Sequence, residues 1–256
     1  MSNKYLVAIP VFNEEGYVAA VLERTRRYAD NILVIDDGSS DSTPEQLSRF
    51  SGIHVIRHER NQGYGQSLID AFGFAAEQGY DWLITMDCDE QHEPAAIPAF
   101  VAAMERDAAD VISGSRYLRS HPGDDRPPAD RRSINLKITA LLNERLGLAL
   151  TDAFCGFKAY RVDALRRLTL SERGYAFPME FWPQSVRRGL TIEELPVRLV
   201  YKDTERYFGG ALDNPTVRYR HYVEVFDAAM RALDAAGAPR VGRGVPACSW
   251  SNCCCQ

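Results

Sequence analysis

Residues 81–92 read DWLITMDCDEQH, an apolar run of strand length that ends directly in a cluster of polar side chains. Residues 5–15 (YLVAIPVFNEE), 31–41 (NILVIDDGSSD) and 110–117 (DVISGSRY) have the same arrangement. Helical patterns at residues 16–29, 64–78 and 94–106 lie between these runs. Short apolar strands that alternate with helices favour right-handed crossovers and a mostly parallel sheet that is covered on both faces. The sequence therefore predicts an α/β fold.

The rest of the sequence predicts further elements of the same domain, followed by a C-terminal tail. Further strands are predicted at residues 53–58, 153–161 and 190–200, and further helices at residues 133–146 and 215–235. Residues 119–132 (RSHPGDDRPPADRR) are rich in proline and arginine and are predicted to form a long loop. Residues 237–256 are rich in glycine, proline and cysteine without periodicity, so we expect a disordered tail after a domain at residues 1–236.

Composition excludes several classes of protein. The chain has 256 residues and a net charge of −5, which makes nucleic acid an unexpected partner. No apolar run approaches the roughly 18–20 residues that span a bilayer, and the N-terminus lacks the pattern of a signal peptide. Cys88 and Cys155, the two cysteines outside the tail, form no disulfide framework. We therefore expect a reducing compartment, the cytoplasm.

The polar clusters at the strand ends point to a ligand site. In open α/β sheets, ligands bind beyond the carboxyl ends of the strands. One such cluster is often only a turn and a helix cap, but four at successive strand ends exceed what turns require. Asp87 and Asp89 are separated by one residue, so both carboxylates can converge on one cation if the chain turns after the strand. Mg²⁺ or Mn²⁺ is commonly held by one or two carboxylates, waters and substrate phosphates.

These clusters belong to longer motifs, which lie at residues 9–15 (IPVFNEE), 34–41 (VIDDGSSD), 61–65 (NQGYG), 86–94 (MDCDEQHEP), 114–117 (GSRY) and 152–161 (DAFCGFKAYR). In order and spacing they resemble family 2 glycosyltransferases of the GT-A fold, in particular dolichyl-phosphate mannose synthases and other polyprenyl-phosphate glycosyltransferases. The resemblance extends from about residue 5 to residue 225. It implies a Rossmann-like, mostly parallel sheet flanked by helices in a single catalytic domain.

The same resemblance implies an activity and its partners. We expect metal-dependent transfer of a hexose, with inversion, from a nucleotide-diphosphate sugar of the GDP-mannose or UDP-glucose type to a polyprenyl or dolichyl phosphate. Some relatives carry their own membrane anchors, whereas others rely on a small membrane-anchoring subunit or on interfacial helices. We therefore expect a cytoplasmic protein that lies peripherally on the cytoplasmic face of a membrane.

Site residues follow by matching this chain to the motifs of the family. The nucleotide sugar is expected at Pro10, Phe12, Asn13, Glu14, Asp36, Asp37, Asp87 and Arg206. The Mg²⁺ or Mn²⁺ ligands are expected to be Asp87, Asp89 and Gln91. The acceptor phosphate is expected at Arg116, Arg131 and Arg132, since a planar guanidinium suits a phosphate. Catalytic roles are expected for Asp89, Arg116 and Asp152.

A chemical argument favours the phosphate acceptor, although alternatives stay open. A hydroxyl acceptor needs a general base, whereas a phosphate oxygen is already ionised near pH 7. Asp152 is the one candidate base, and we expect it to orient the acceptor side instead. The alternatives are a soluble or glycan hydroxyl acceptor, and a non-catalytic nucleotide-sugar-binding subunit. A nucleotidyltransferase would need a glycine-rich loop with lysine after the first strand.

The sequence allows two structural interpretations for each of two apolar segments. Residues 134–150 form either an amphipathic helix at the membrane interface or part of the core. The aromatic residues at 175–182 (YAFPMEFW) either pack in the core or face the acceptor tail. His92 is expected to be a structural hydrogen-bonding residue, and Gly63 and Gly65 are expected to allow a tight turn before a helix.

Overall fold

The computed structural model describes residues 3–201 and 208–238, which form an α/β fold around a seven-stranded sheet. The strands are β1 (Tyr5–Val11), β2 (Ile32–Asp36), β3 (His54–Arg57), β4 (Trp82–Thr85), β5 (Val111–Ser115), β6 (Lys158–Arg161) and β7 (Ile192–Pro196). Their order is β3-β2-β1-β4-β6-β5-β7, and β6 is antiparallel to both of its neighbours. The other strands therefore share one direction, which confirms the mostly parallel sheet.

Helices cover both faces of this sheet. They are α1 (Val18–Thr25), α2 (Thr43–Ser48), α3 (Tyr64–Glu77), α4 (Ile97–Glu105), α5 (Ala129–Leu146), α6 (Val162–Leu165), α7 (Phe177–Arg187) and α8 (Pro215–Ala235). Short 3₁₀ turns at Pro94–Ala96 and Gly210–Asp213 precede α4 and α8.

The central strands β1, β2 and β4 are almost entirely apolar because each face of the sheet meets a separate hydrophobic core. In β1, Leu6 and Ala8 join the core beneath α3, α5, α7 and α8. Val7 and Ile9 point the other way, into the core beneath α1, α2 and α4. Alternate side chains of a strand point to opposite faces. The continuous apolar runs of the sequence are thus those of a sheet buried on both sides.

One predicted helix starts earlier in the structure, and α2, α6 and α7 are helices that the sequence did not predict. α5 begins at Ala129, four residues before the predicted start at Ser133, because Pro128 lies directly before the first turn and Asp130 lies within it. Both residue types suit a helix start. The segment at 177–187, predicted only as aromatic-rich, is α7. Pro183 stands inside this helix, where proline is unfavourable, so the residue types of the segment argue against a helix.

Two predicted strands are shorter than expected. β6 begins at Lys158 instead of residue 153, and β7 spans Ile192–Pro196 instead of residues 190–200. Residues 153–157 instead form an irregular segment that leads into β6. Because β6 is antiparallel to β4, with Lys158 paired to Thr85, this segment lies at the carboxyl edge of the parallel strands.

Most apolar side chains of the two ambiguous segments belong to the core, whereas Tyr175 and Pro178 line the cavity described below. Ile138 and Leu142 of α5 are fully buried, as is Trp182 of α7, and Phe181 is 1% exposed. The helices of residues 3–201 and 208–238 include none with the length and apolar character that a bilayer crossing requires. The predicted tail lies outside the described residues from position 239 onward, and the domain boundary at residue 236 stays a prediction.

Close packing of the backbone at the start of α3 against Glu172 can be tested by substitution of Gly65. A Cβ atom added at Gly65 would lie 2.2 Å from the carbonyl oxygen of Glu172, a backbone atom. We expect Gly65→Ala to lower the free energy of unfolding by about 1–3 kcal/mol, as overpacking does. Denaturation with guanidinium chloride measures this change.

Gly73 provides the control within the same helix, because an added Cβ would meet nothing within 4 Å. Gly73→Ala should raise the free energy of unfolding by about 0.5–1 kcal/mol, since alanine is the better helix former. Equal effects of the two substitutions would show that the packing of α3 against Glu172 does not constrain Gly65.

Candidate active site

Four strands deliver polar residues to one cavity. β1, β2, β4 and β5 run in the same direction and end at one edge of the sheet. A cavity of about 490 Å³ lies there. Its lining includes Pro10, Phe12, Glu14, Asp37, Tyr64, Asp87, Asp89, Gln91, Arg116, Arg131, Phe154, Tyr175, Pro178, Tyr201, Phe208, Arg218 and Tyr222. The structure therefore brings most of the predicted site residues together.

Asp87 and Asp89 form the acidic end of the cavity. One Asp87 carboxylate oxygen, Oδ1, accepts a hydrogen bond from the Tyr64 hydroxyl at 3.0 Å. Oδ1 of Asp89 accepts a bond from the backbone N–H of Gln91 at 3.1 Å, within a turn where Glu90 has φ of 59°. This turn follows β4 and lets the two carboxylates line the same cavity, as their spacing predicted.

His92 supports this turn as a neutral side chain. Its Nδ1 accepts a hydrogen bond from the backbone N–H of Asp87 at 2.9 Å, and its Nε2 lies 3.8 Å from Sγ of Cys155. Burial is the main reason that the pKa of His92 falls to about 4, and the positive charge of Arg116 lowers it further. The expected structural role of His92 thus agrees with its contacts.

The acidic end fits a hard divalent cation. The carboxylates of Asp87 and Asp89 and the amide of Gln91 offer oxygen atoms, which Mg²⁺ and Mn²⁺ prefer. No group of three or more His, Cys, Asp or Glu side chains in residues 3–201 and 208–238 forms a complete metal cage. A site with two carboxylates suits a cation that is also bound by substrate phosphates.

The predicted nucleotide-binding residues divide into two groups. Pro10, Phe12 and Glu14 line the cavity, and Phe12 is 43% exposed. Asn13 and Asp36 do not line it, and their side chains join loops instead. Oδ1 of Asn13 accepts from the backbone N–H of Ser40 at 2.9 Å, and Oδ1 of Asp36 accepts from the backbone N–H of Ser39 at 2.9 Å.

A direct nucleotide contact by Asp36 is therefore not supported, whereas one by the exposed Asn13 stays a prediction. Asp36 is fully buried, with Nε of Arg57 3.2 Å from its Oδ2. Asn13 holds the loop after β1 against the loop after β2. The family motif contains both residues, but their position in the fold indicates that they shape the site without lining it.

Asp37 lines the cavity and also organises it. Its Oδ1 lies 2.7 Å from Nδ1 of His58 and accepts from the backbone N–H of Gln62 at 2.7 Å. Its Oδ2 accepts from the backbone N–H of Gly63 at 2.9 Å. These bonds fix the turn before α3, so most of the accepting capacity of Asp37 serves the protein itself.

A buried ion pair forms the basic end of the cavity. Nε and Nη2 of Arg116 donate to Oδ2 and Oδ1 of Asp152 at 2.6 and 3.0 Å. Nδ2 of Asn135 donates to the same carboxylate at 2.7 Å. Burial opposes the charge of Asp152, but Arg116 outweighs it and lowers the pKa of Asp152 to about 2. Asp152 does not line the cavity, and a carboxylate held in this way is a poor general base.

The neighbouring arginines have different positions. Arg131 lines the cavity, with its guanidinium 5.1 Å from the centre of the Phe208 ring. Arg132 is not among the lining residues, and its guanidinium lies 3.5 Å from the ring centre of Tyr117, which lines the cavity. The expected role of Arg132 at the acceptor phosphate stays a prediction, and Arg206 lies outside the described residues.

Several lining residues were not predicted as site residues from the sequence, among them Arg218 and Tyr64. Arg218 of α8 donates to Asp130 of α5 at 2.6 Å and lies 4.3 Å from the centre of the Phe208 ring. Tyr64 contacts Asp87, and Tyr175 stacks on Tyr64 with ring centres 5.9 Å apart. The sequence carries no signal for Arg218, which lies in the last helix. Tyr64 stands within the 61–65 motif, in which the expected role, a tight turn, belongs to Gly63 and Gly65.

Comparison with known proteins identifies the family. Residues 6–169 match the sequence profile of glycosyl transferase family 2. The chain belongs to this family. It is similar to an undecaprenyl-phosphate mannosyltransferase of Micrococcus luteus, with 31% identity over 211 residues, 78% of this chain and 85% of that protein. It is also similar to a polyprenol monophosphomannose synthase of Mycolicibacterium smegmatis, with 29% identity over 220 residues, 81% of this chain and 80% of that protein.

A solved structure of similar fold confirms the GT-A architecture. It is the glucosyl-3-phosphoglycerate synthase of Mycobacterium tuberculosis in complex with Mn²⁺, uridine diphosphate and glucosyl-3-phosphoglycerate. The match has a TM-score of 0.66 and 19% identity, and it covers 93% of this chain and 81% of that one. As a member of family 2, the protein described here is a glycosyltransferase.

The Arg116–Asp152 pair generates a prediction about stability and pH. The lowered pKa means that Asp152 stabilises the fold above its unfolded pKa of about 3.9, and that this contribution is lost as pH falls towards 2. Asp152→Asn should destabilise the protein at pH 6 by about 3–5 kcal/mol, because Arg116 loses its buried partner. Between pH 4 and 2, the difference from wild type should narrow by about 2 kcal/mol.

Denaturation curves at several pH values measure this difference. Asp163→Asn is the control, since Asp163 pairs with Arg166 at the surface with 86% of its side chain exposed. Its effect on the free energy of unfolding should be small throughout. A constant difference between wild type and Asp152→Asn across this pH range would contradict the prediction.

Proposed function

We propose that this protein transfers a hexose from a nucleotide-diphosphate sugar to a polyprenyl or dolichyl phosphate, with inversion at the anomeric carbon. One observation carries this proposal. A single cavity is lined by the carboxylates of Asp87 and Asp89, by Arg116 and Arg131, and by aromatic side chains. The carboxylates suit a cation and a diphosphate, and the arginines together with the aromatic side chains suit a second phosphate that carries an apolar chain.

The donor would bind at the acidic end. Asp87, Asp89 and Gln91 would hold Mg²⁺ or Mn²⁺, and Pro10, Phe12, Glu14 and Asp37 would contact the nucleoside. When bound, the cation would neutralise charge on the departing nucleoside diphosphate. The similar fold that binds Mn²⁺ together with uridine diphosphate supports this arrangement.

The acceptor phosphate would bind between Arg116 and Arg131. Asp152 engages Nε and Nη2 of Arg116, which leaves Nη1 for a phosphate oxygen. The buried carboxylate also fixes the guanidinium plane, so little side-chain entropy remains to be lost on binding. Asp152 would thus act by orienting Arg116, which agrees with the expectation that it orients the acceptor side.

Aromatic side chains offer a surface for the first isoprene units. Tyr175 lines the cavity and is 42% exposed, and Phe154, Pro178 and Tyr222 line the same region. Their apolar faces can cover hydrocarbon while the arginines bind the phosphate. The names of two similar proteins, an undecaprenyl-phosphate mannosyltransferase and a polyprenol monophosphomannose synthase, support a polyprenyl-phosphate acceptor.

No general base is required for this reaction. A phosphate monoester carries an ionised oxygen near neutral pH, and this oxygen can attack the anomeric carbon directly, opposite the leaving diphosphate. Asp152 retains its charge and its bonds to Arg116 throughout. A lipid acceptor places the reaction at a membrane surface, so we propose peripheral association with its cytoplasmic face. A small membrane-anchoring subunit stays a prediction.

The two ends of the cavity should respond differently to substitution. Asp89→Asn removes one carboxylate from the donor end and should lower kcat by at least about 100-fold. Arg131→Ala should raise the KM for polyprenyl phosphate by about 10-fold or more, as expected for a lost charged hydrogen bond. Its KM for the nucleotide sugar should change little. The assay measures radiolabel transferred from GDP- or UDP-sugars into an organic phase, with Mn²⁺ or Mg²⁺ present.

Arg167→Ala is the matched control, because Arg167 is exposed at the end of α6. It should leave both KM values unchanged. The proposed acceptor would be wrong if no tested nucleotide sugar labelled polyprenyl phosphate while a hydroxyl acceptor was glycosylated. Retention of full activity by Asp89→Asn would exclude the proposed metal ligand.

A further inference from the structure

Tyr64 stands at the first position of α3 and contacts the acidic end of the cavity. Its hydroxyl donates to Oδ1 of Asp87 at 3.0 Å. We propose that Tyr64 is a positioning residue for the cation: its hydroxyl holds Oδ1 of Asp87, so that Oδ2 is the oxygen offered to the metal. This inference rests on the proposed function, because it assigns a metal to Asp87.

The surroundings of Oδ2 of Asp87 support the assignment of Oδ1 to the Tyr64 hydroxyl and of Oδ2 to the cation. The nearest ring nitrogen, Nδ1 of His92, lies 3.7 Å from Oδ2. That nitrogen already accepts the backbone N–H of Asp87, so it has no proton to donate to the carboxylate. Oδ2 accepts no hydrogen bond from the residues that the structure describes. One oxygen of Asp87 is thus occupied by the protein, and the other is available within the cavity.

The Tyr64 ring is held in place on several sides. A Cβ atom at Gly63 would lie 2.3 Å from the carbonyl oxygen of Arg173, so the backbone at the start of α3 packs directly on this segment. The Tyr64 ring stacks on Tyr175 with an interplanar angle of 16°, and Tyr175 meets the Phe208 ring edge-on. Because the ring is fixed in this way, its hydroxyl is held at a defined position beside Oδ1 of Asp87.

Gly156 closes the remaining side of the contact. A Cβ atom there would lie 2.6 Å from both carboxylate oxygens of Asp87 and 2.8 Å from the Tyr64 hydroxyl. The hydroxyl of Thr85 donates to the Gly156 carbonyl at 2.7 Å and fixes this glycine beside the end of β4. Backbone, ring and carboxylate therefore meet without space for another side chain.

Outer-shell hydrogen bonds of this kind orient metal ligands and tune their affinity. Without the Tyr64 hydroxyl, the Asp87 carboxylate would lose the bond that selects its rotation. The entropy lost in ordering the Asp87 carboxylate would then reduce the free energy of cation binding. The ring could still stack on Tyr175 in Tyr64→Phe, so this substitution isolates the hydroxyl.

The test is a titration with Mn²⁺ in the presence of GDP or UDP. Electron paramagnetic resonance measures the concentration of free Mn²⁺, from which the Kd is obtained. Tyr64→Phe should raise the Kd for Mn²⁺ by about 10-fold, the lower end of the range for outer-shell partners. Gly156→Ala should weaken Mn²⁺ binding in the same direction, because its methyl group would displace the carboxylate from the hydroxyl.

Tyr5→Phe is the matched control. It also removes one hydroxyl hydrogen bond, from Tyr5 to the carbonyl oxygen of Tyr28 at 2.7 Å, but at the start of β1, the opposite edge of the sheet. It should leave Mn²⁺ binding unchanged. Thermal unfolding of all three variants without metal would verify that each is folded.

The outcomes separate this inference from the proposed function. If the wild type binds Mn²⁺ and Tyr64→Phe binds it equally well, the role of Tyr64 is wrong while the metal site stands. If the wild-type protein binds no Mn²⁺ with either nucleotide, the proposed metal site itself is overturned, and the role of Tyr64 with it.

Discussion

The sheet is buried on both faces, and this constraint decides where the protein can place its chemistry. Side chains within β1, β2 and β4 point into one of two hydrophobic cores, so these strands are apolar. Polar residues follow at the carboxyl ends, where the chain leaves the sheet. The shared direction of these strands collects their ends at one edge, and the cavity lies there.

The reversed strand β6 completes the site. In a strand parallel to its neighbours, the residues before it would lie at the far edge of the sheet. Because β6 is antiparallel to β4 and β5, residues 152–157 reach the carboxyl edge instead. Asp152 thereby meets Arg116, and Gly156 packs against Asp87. The carboxylate of Glu194 in β7 accepts the backbone N–H of Asp152 and secures this segment from the other side.

The two ends of the cavity differ in how their charges are arranged. At the basic end, Asp152 fixes Arg116 by two hydrogen bonds and retains its charge. At the acidic end, the Asp87 carboxylate has one oxygen bonded to Tyr64, whose ring begins an aromatic wall that continues through Tyr175 and Phe208. Arg131 and Arg218 lie against Phe208. One continuous wall thus joins the carboxylates to the arginines.

The sequence by itself determined the parallel strands, the edge at which their polar residues meet, and the pairing of Asp87 with Asp89 in one turn. These features depend on local order along the chain: apolar runs of strand length, each followed directly by polar residues. The family motifs added Arg116 and Asp152, but they did not separate residues that line the cavity from those that support it.

Only the tertiary structure decided that separation. Asn13 and Asp36 belong to the motifs yet bond to neighbouring loops, whereas Arg218 belongs to none and lines the cavity. Tyr64 reaches Asp87 across 23 positions of sequence, and Arg218 reaches Asp130 across 88. Such contacts depend on the direction of β6 and on how α3, α5 and α8 pack over the sheet. A local pattern contains no information about either, because both are set by distant parts of the chain meeting in the folded core.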